Sequence, residues 1–283
     1  MGFASNHKKT ALAFLTLAGI FIFSSFFFEL APAEYKAKAM KAKEPEKTFA
    51  PLRRISASPP PPLSAEAVFV ERIRTQEVLL ANNEDKTFAP ASLAKLMTAL
   101  LYYEALSPLE PVSMPEEAKA ILEDDEKRSR LEAGETIKAE DLLKLMVAES
   151  DNDAAYAAAD AVALKAYPAL REAPFETRIH RFVFLMNQRK DELGLRSTHF
   201  TNPAGKDAPE NYSTARELAR IAGEIFAKAP KIWDASRLIE GEIYSRSGKN
   251  YHFENTDILL KEFPALFGSK TGFTDEAGGA LLM

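Results

Sequence analysis

Eighteen consecutive residues without a charge, Ala11 to Phe28, divide this chain before any other pattern does. The run reads ALAFLTLAGIFIFSSFFF, with no polar stripe to mark the outer face of a soluble helix. As a helix it would extend about 27 Å, close to the hydrocarbon thickness of a bilayer. Lys8 and Lys9 stand just before it, so residues 1–10 read as a cytoplasmic flank and the remainder as exported. Ala31-Pro32-Ala33 resembles a small-residue cleavage site. Two readings of residues 11–28 therefore stay open, a membrane-spanning signal anchor and a removed signal peptide.

Residues 29–63 read as a linker. They are rich in Ala, Lys, Glu and Pro and close on four prolines, Pro59 to Pro62, which favour an extended polyproline II course. Positions 34–54 hold seven Lys or Arg against three Glu, and Ala and Glu dilute that charge to a solvated stretch. From Ile55 onward the balance inverts to 27 basic and 37 acidic residues, a net −10. Such a surface repels a phosphate backbone, which excludes sequence-general binding of nucleic acid. The 283 residues contain no cysteine, so disulfides, thiolate metal sites and cysteine nucleophiles are excluded too. The four histidines are scattered, with no HExxH and no helical pairing. Chemistry must then rest on Ser, Thr, Lys, Asp, Glu or Asn.

Residues 64–283 carry the globular pattern. Ala67–Ile73 and Glu77–Ala81 are apolar strand-like runs around Arg74-Thr75-Gln76, a hairpin. Helical spacing follows at Ala91–Leu106, Ala139–Ala148, Asp153–Ala166 and Phe175–Leu193, the last closed by Gly194. Thr214-Ala-Arg-Glu217 reads as a capping box opening a helix through about Lys228. Ser269–Thr274 is extended again. Strands, then helices, then a strand predict an α+β fold rather than an alternating parallel sheet.

Three short motifs carry the chemical signal. In Ser92-Leu93-Ala94-Lys95, after Pro90, the lysine falls one helical turn beyond the serine on the same face. A hydroxyl nucleophile needs a base, and a lysine serves only when neutral. The positive helix end and the apolar wall of Leu96 and Met97 both disfavour the ammonium form. Alone the motif is weak, since Ser5-Asn6-His7-Lys8 matches it as well. Ser150-Asp151-Asn152 lies between two helices, where a break can turn Ser150 and Asn152 into a cleft; the bland alternative is a pair of helix caps. Lys270-Thr271-Gly272 sits on the late strand, a carboxylate-binding edge where Gly272 admits a substrate backbone, or else a solvent-facing strand end.

In order and separation the three motifs resemble the SxxK, SxN and KTG set of the penicillin-recognising serine enzymes. Longer stretches narrow this. FAPASLAKLMTAL (88–100), AESDNDAA (148–155), FLMNQRKDELGLRSTHFTNPAG (184–205), YSTARELA (212–219) and GSKTGFTDEAGGALL (268–282) resemble the D-alanyl-D-alanine carboxypeptidase family across residues 64–283. The resemblance implies an antiparallel sheet flanked by helices, a mostly helical lobe, and an active site between them. It implies a bacterial serine peptidase acting on peptidoglycan stem peptides at the outer face of the cytoplasmic membrane, without metal or cofactor and inhibited by β-lactams. Carried over by position, Ser92 would attack the penultimate D-alanine carbonyl and Lys95 would take its proton. Ser150 would relay a proton to the leaving D-alanine, and Asn152 would hold the substrate amide and Lys95. Lys270 and Thr271 would receive the terminal carboxylate, Gly272 would let the substrate backbone approach, and the N–H groups of Ser92 and Phe273 would form the oxyanion hole.

Two departures from the family pattern stand out. Phe273 occupies a position where some members have histidine. Members also continue past the point corresponding to Met283 with two strands, a helix and a carboxylate-binding arginine. The expectation is thus a C-terminally incomplete domain in which Lys270–Thr274 has only a stub of a partner strand. Two other readings share the motifs: a class A-like β-lactamase, although residues 153–269 lack its ExxLN-like deacylating loop, and a catalytically impaired peptidoglycan-binding domain.

Overall fold

The computed structural model describes residues 63–120 and 130–283. The apolar run at 11–28, its flank and nearly all of the 29–63 linker lie outside the described residues. No helix among the described residues is long and apolar enough to cross a membrane.

The chain opens on the expected hairpin, β1 (Val68–Arg72) against β2 (Glu77–Asn82), antiparallel with a register shift between Val70 and Glu71. A 3-10 turn at Ala91–Ala94 then feeds α1 (Lys95–Ala105). The single helix expected from Ala91 thus begins as a tighter coil, with Ala91 at φ 46°. β3 (Pro111–Ser113) and α2 (Glu116–Ala120) precede β4 (Thr136–Lys138), which pairs with β3. α3 (Ala139–Lys144) leads into α4 (Asn152–Ala166), and α5 (Phe175–Glu192) follows. α6 (Ala215–Lys228) and α7 (Lys231–Ser236) come next. β5 (Glu240–Tyr244) pairs with β6 (Asn250–Glu254). A short α8 (Leu259–Glu262) separates them from the last hairpin, β7 (Lys270–Thr274) against β8 (Gly278–Leu282).

α4 is the axis of the helical lobe, packed against α1 and α5. Every residue from Asn152 to Asp160 is buried, and so is every residue from Lys95 to Tyr102 in α1. Alanine makes this possible: it costs no side-chain entropy in a helix and lets neighbouring backbones come close. α5 ends as its glycine predicts. Gly194 takes φ 69°, Leu195 N–H reaches the Lys190 carbonyl at 2.9 Å and Gly194 N–H the Asp191 carbonyl at 3.0 Å, a Schellman closure.

Two expectations are corrected. The Thr214 side chain does cap α6, accepting from Glu217 N–H at 3.1 Å. The reciprocal half of the capping box is absent, because the Glu217 carboxylate accepts instead from Arg196 N–H (2.8 Å), Ser197 N–H (3.1 Å) and the Thr198 hydroxyl (2.6 Å). A carboxylate buried beside three donors is held there by tertiary contacts that a four-residue pattern does not contain. Second, β7 does not face a stub: all five of its residues have register partners in β8, from Lys270↔Leu282 to Thr274↔Gly278. The fold class is the expected α+β, its strands lying beside the helices as antiparallel two-stranded pairs among the described residues. β1 and β8 both border a cleft of about 640 Å³, floored by Leu218, Ala219 and Ala222 of α6, and no ladder bridges it.

Candidate active site

The first motif folds as a tight turn leading into a buried helix. Leu93 N–H closes on the Pro90 carbonyl at 3.1 Å, and Ser92 sits on the 3-10 turn just ahead of Lys95. Lys95 has 0% exposure. Its Nζ donates to Ser92 Oγ at 2.9 Å, to Asn152 Oδ1 at 2.7 Å and to the Ala204 carbonyl at 2.8 Å. A lysine whose amine is buried and oriented on a hydroxyl by two other acceptors is placed to exchange a proton with that hydroxyl.

The second motif lies at a change of helical pitch. α3 widens at Leu145–Glu149 into a single π turn, and Ser150 follows in the left-handed region at φ 68°. A non-glycine residue pays strain to stay there, and π turns gather at sites where one side chain must be aimed. Asp151 N–H returns to the Leu145 carbonyl at 3.1 Å, and Asn152 opens α4. The break turns Ser150 to Lys270, whose Nζ donates to Ser150 Oγ at 2.7 Å and to the Thr271 carbonyl at 2.9 Å. Lys270 is only 1% exposed, which removes the reading of a solvent-facing strand end.

At Gly272, β7 comes close to the turn that carries Ser92. A Cβ there would lie 3.0 Å from Ala91 Cβ and 3.1 Å from the Ser92 backbone nitrogen. Thr271 turns its hydroxyl to Thr256 Oγ1 at 2.5 Å. Phe273 is 73% exposed and is paired with Gly279 in the β7–β8 ladder. The structure therefore gathers two serine–lysine pairs, Ser92–Lys95 and Ser150–Lys270. Asn152 ties the first pair to the segment that carries Ser150.

Two contributors were not singled out from the sequence. One is the loop Asn202-Pro203-Ala204-Gly205. Asn202 Oδ1 accepts from the N–H groups of Gly205 (2.8 Å) and Lys206 (2.9 Å), and Thr98 Oγ1 donates to the Pro203 carbonyl at 2.7 Å. This holds the Ala204 carbonyl on Lys95. Gly205 passes so near the Ser92 turn that a Cβ would fall 1.8 Å from the Ala91 carbonyl oxygen. The Asn-Pro…Gly spacing signals a turn, but a backbone carbonyl leaves no mark of its role in a sequence. The other is Thr256, whose hydroxyl meets that of Thr271.

A family profile described as D-alanyl-D-alanine carboxypeptidase matches residues 54–283. The chain is 32% identical over 222 residues to D-alanyl-D-alanine carboxypeptidase DacF of Bacillus subtilis, covering 75% of this chain and 51% of that protein. It is 34% identical over 243 residues to a D-alanyl-D-alanine endopeptidase of Pseudomonas aeruginosa, covering 81% of this chain and 72% of that one. The chain spans about half the length of DacF and of Haemophilus influenzae DacA, 51% and 53%. In fold it is similar to the Streptomyces K15 DD-transpeptidase, with TM-score 0.70, 23% identity, and coverage of 78% of this chain and 85% of that one.

Proposed function

Because the chain belongs to the D-alanyl-D-alanine carboxypeptidase family, we propose that it is a serine peptidase that removes the terminal D-alanine from peptidoglycan stem peptides. The observation that carries this reading is the 2.9 Å contact from Lys95 Nζ to Ser92 Oγ, made by a lysine with no solvent exposure. With Lys95 in its neutral form, its lone pair turned to Ser92, Ser92 Oγ adds to the carbonyl carbon of the penultimate D-alanine while its proton passes to Lys95 Nζ. The carbonyl π pair moves onto oxygen, where the N–H groups of Ser92 and Phe273 stabilise it; one such donor is worth about 3–4 kcal/mol. The pair returns, the C–N bond breaks, and Ser150 passes its proton to the leaving amine while taking up the one that Lys95 had gained, so that both groups return to their starting states. Water then cleaves the ester, returning Ser92 to its starting state and releasing the shortened peptide. Asn152 keeps Lys95 in register and receives the substrate amide. Lys270 and Thr271 take the terminal carboxylate, and Gly272 leaves room for the substrate beside the nucleophile turn. β-Lactams stop the same sequence at the acyl ester.

The same reading places residues 64–283 outside the bacterial cytoplasmic membrane, tethered through residues 11–28 or released after cleavage. Protease added to intact spheroplasts digests an exported domain; complete protection would rule the topology out. For the chemistry, the full chain is treated with a fluorescent penicillin and with an acyl-D-alanyl-D-alanine peptide. Ser92→Ala abolishes both labelling and D-alanine release, and Lys95→Ala slows acylation by about 100-fold or more. Labelling of Ser92→Ala at the wild-type rate would remove Ser92 from the nucleophile's place.

A further inference from the structure

Thr256 lies in the loop after β6, and that loop is fastened on every side. Asn255 N–H donates to the Ile239 carbonyl at 2.7 Å, and Asn255 Nδ2 donates to the carbonyls of Ser236 and Leu238 at 2.7 Å each. Asn255 Oδ1 accepts from Asp257 N–H at 2.8 Å, and Asp257 Oδ1 from Leu259 N–H at 2.9 Å. The Thr256 backbone N–H in turn reaches the Ala148 carbonyl at 3.1 Å, on the π turn two residues before Ser150. Thr256 thus joins the segment that carries Ser150 to the strand that carries Thr271.

Its hydroxyl has one proton and two neighbours. Thr271 Oγ1 is 2.5 Å away, within the range of an O–H···O bond, whereas the Ala148 carbonyl is 3.4 Å away, outside it. That carbonyl is already served by the Thr256 N–H. Either hydroxyl can donate across the 2.5 Å contact, and when Thr256 donates its proton there, Thr271 Oγ1 is the acceptor. A hydroxyl that accepts in this way keeps its own proton for a third group, and the bond it receives polarises that proton. The opposite arrangement, with Thr271 donating to Thr256, would spend the proton inside the protein.

We propose that Thr256 is a positioning residue that fixes the Thr271 hydroxyl as a donor to the substrate's terminal carboxylate, and so makes the site prefer a charged terminus to a neutral one. This rests on the peptidase reading above and adds to it a determinant of specificity. A residue that merely filled space would affect charged and neutral ligands alike.

The test measures second-order acylation of the full chain by benzylpenicillin and by its methyl ester, which lacks the carboxylate. Thr256→Val keeps the shape and loses the hydroxyl; it should lower acylation by benzylpenicillin about 5–10-fold, the scale of one hydrogen bond to a charged partner, and change the ester rate less than about 2-fold. Thr256→Ser keeps the hydroxyl and should restore the wild-type preference. Thr256→Ala gives the same reading should valine prevent folding. Equal losses for both ligands, an unchanged preference, or a serine variant as defective as valine would each overturn the proposal. Failure of the wild-type chain to acylate with either ligand would instead overturn the peptidase reading, and this proposal with it.

Discussion

On the helical side of the site, the residues flanking Lys95 and Asn152 are buried for two turns or more; on the strand side, β1, β2 and β8 contain no buried residue and β7 contains one, Lys270. The two sides are held by different physics. Ser92, Lys95 and Asn152 inherit their positions from close-packed apolar side chains, where a missing methylene is felt directly. β7 is docked by a few polar and steric contacts: Lys270 on Ser150, Thr271 on Thr256, and Gly272 against Ala91. Gly268, just before the strand, sits where a Cβ would be 2.8 Å from Trp233 Cε3. The segments that carry Ser92 and Lys95 are therefore held by packing, whereas β7 is set by individual contacts, each open to removal.

The sharpest way to break the helical side is Gly205→Ala. The new Cβ would fall 1.8 Å from the Ala91 carbonyl oxygen, and Gly205 also sits at φ 82°, a conformation alanine disfavours. Either the loop withdraws, carrying the Ala204 carbonyl off Lys95, or the chain loses more than about 4 kcal/mol of stability. Both outcomes lower penicillin acylation by about 100-fold or more, read in a single rate measurement. A variant that acylates within a few-fold of wild type would show that the loop does not hold the lysine.

A paired truncation separates the two sides directly. Met97→Ala, in α1 at 0% exposure, should cost about 2–5 kcal/mol. Leu281→Ala, on β8 at 44% exposure, should cost less than about 1 kcal/mol. Urea unfolding of each variant gives both numbers. Equal costs would erase the distinction between a packed half and a contact-held half.

Particular residues show what was readable from the sequence. The Ser92–Lys95 contact was legible because a three-residue spacing after Pro90 brings the two onto one side of the coil, and the apolar Leu96 and Met97 marked the segment as buried. The hairpin at 68–82 and the closure at Gly194 were legible for the same reason: their signals are local. Ser150 was legible as a break between helices, but its left-handed backbone was not, since the π turn before it answers to packing on both sides. The Ala204 carbonyl, 109 positions from Lys95, and Thr256, 15 positions from Thr271, left no trace that spacing could read. Glu217 misled for a related reason. Its local pattern was that of a cap, and three donors from residues 196–198 outweighed it.

The smallest effect belongs to a surface pair at the edge of the packed half. Lys165, near the end of α4, donates to both oxygens of Glu110 at 2.7 Å, just ahead of β3, and Ser107 N–H adds a bond at 3.2 Å. The hydrogen bond from Lys165, above all, holds the Glu110 carboxyl below its ordinary range, against the weaker opposing pull of burial. A carboxyl with a lowered folded-state pKa binds protons more readily in the unfolded chain. Its contribution is therefore complete above the ordinary glutamate pKa and is lost as pH falls through the lowered folded value. Solvent screens this pair, so Glu110→Gln should cost only about 0.2–1 kcal/mol at pH 7. The difference from wild type should shrink toward zero under acid conditions, and molar salt at pH 7 should reduce it as well. Urea midpoints of the two proteins at pH 7 and pH 3 measure this. A difference that persisted unchanged at pH 3 would mean that Glu110 acts through its shape rather than its charge, and the packed half would then extend to this edge.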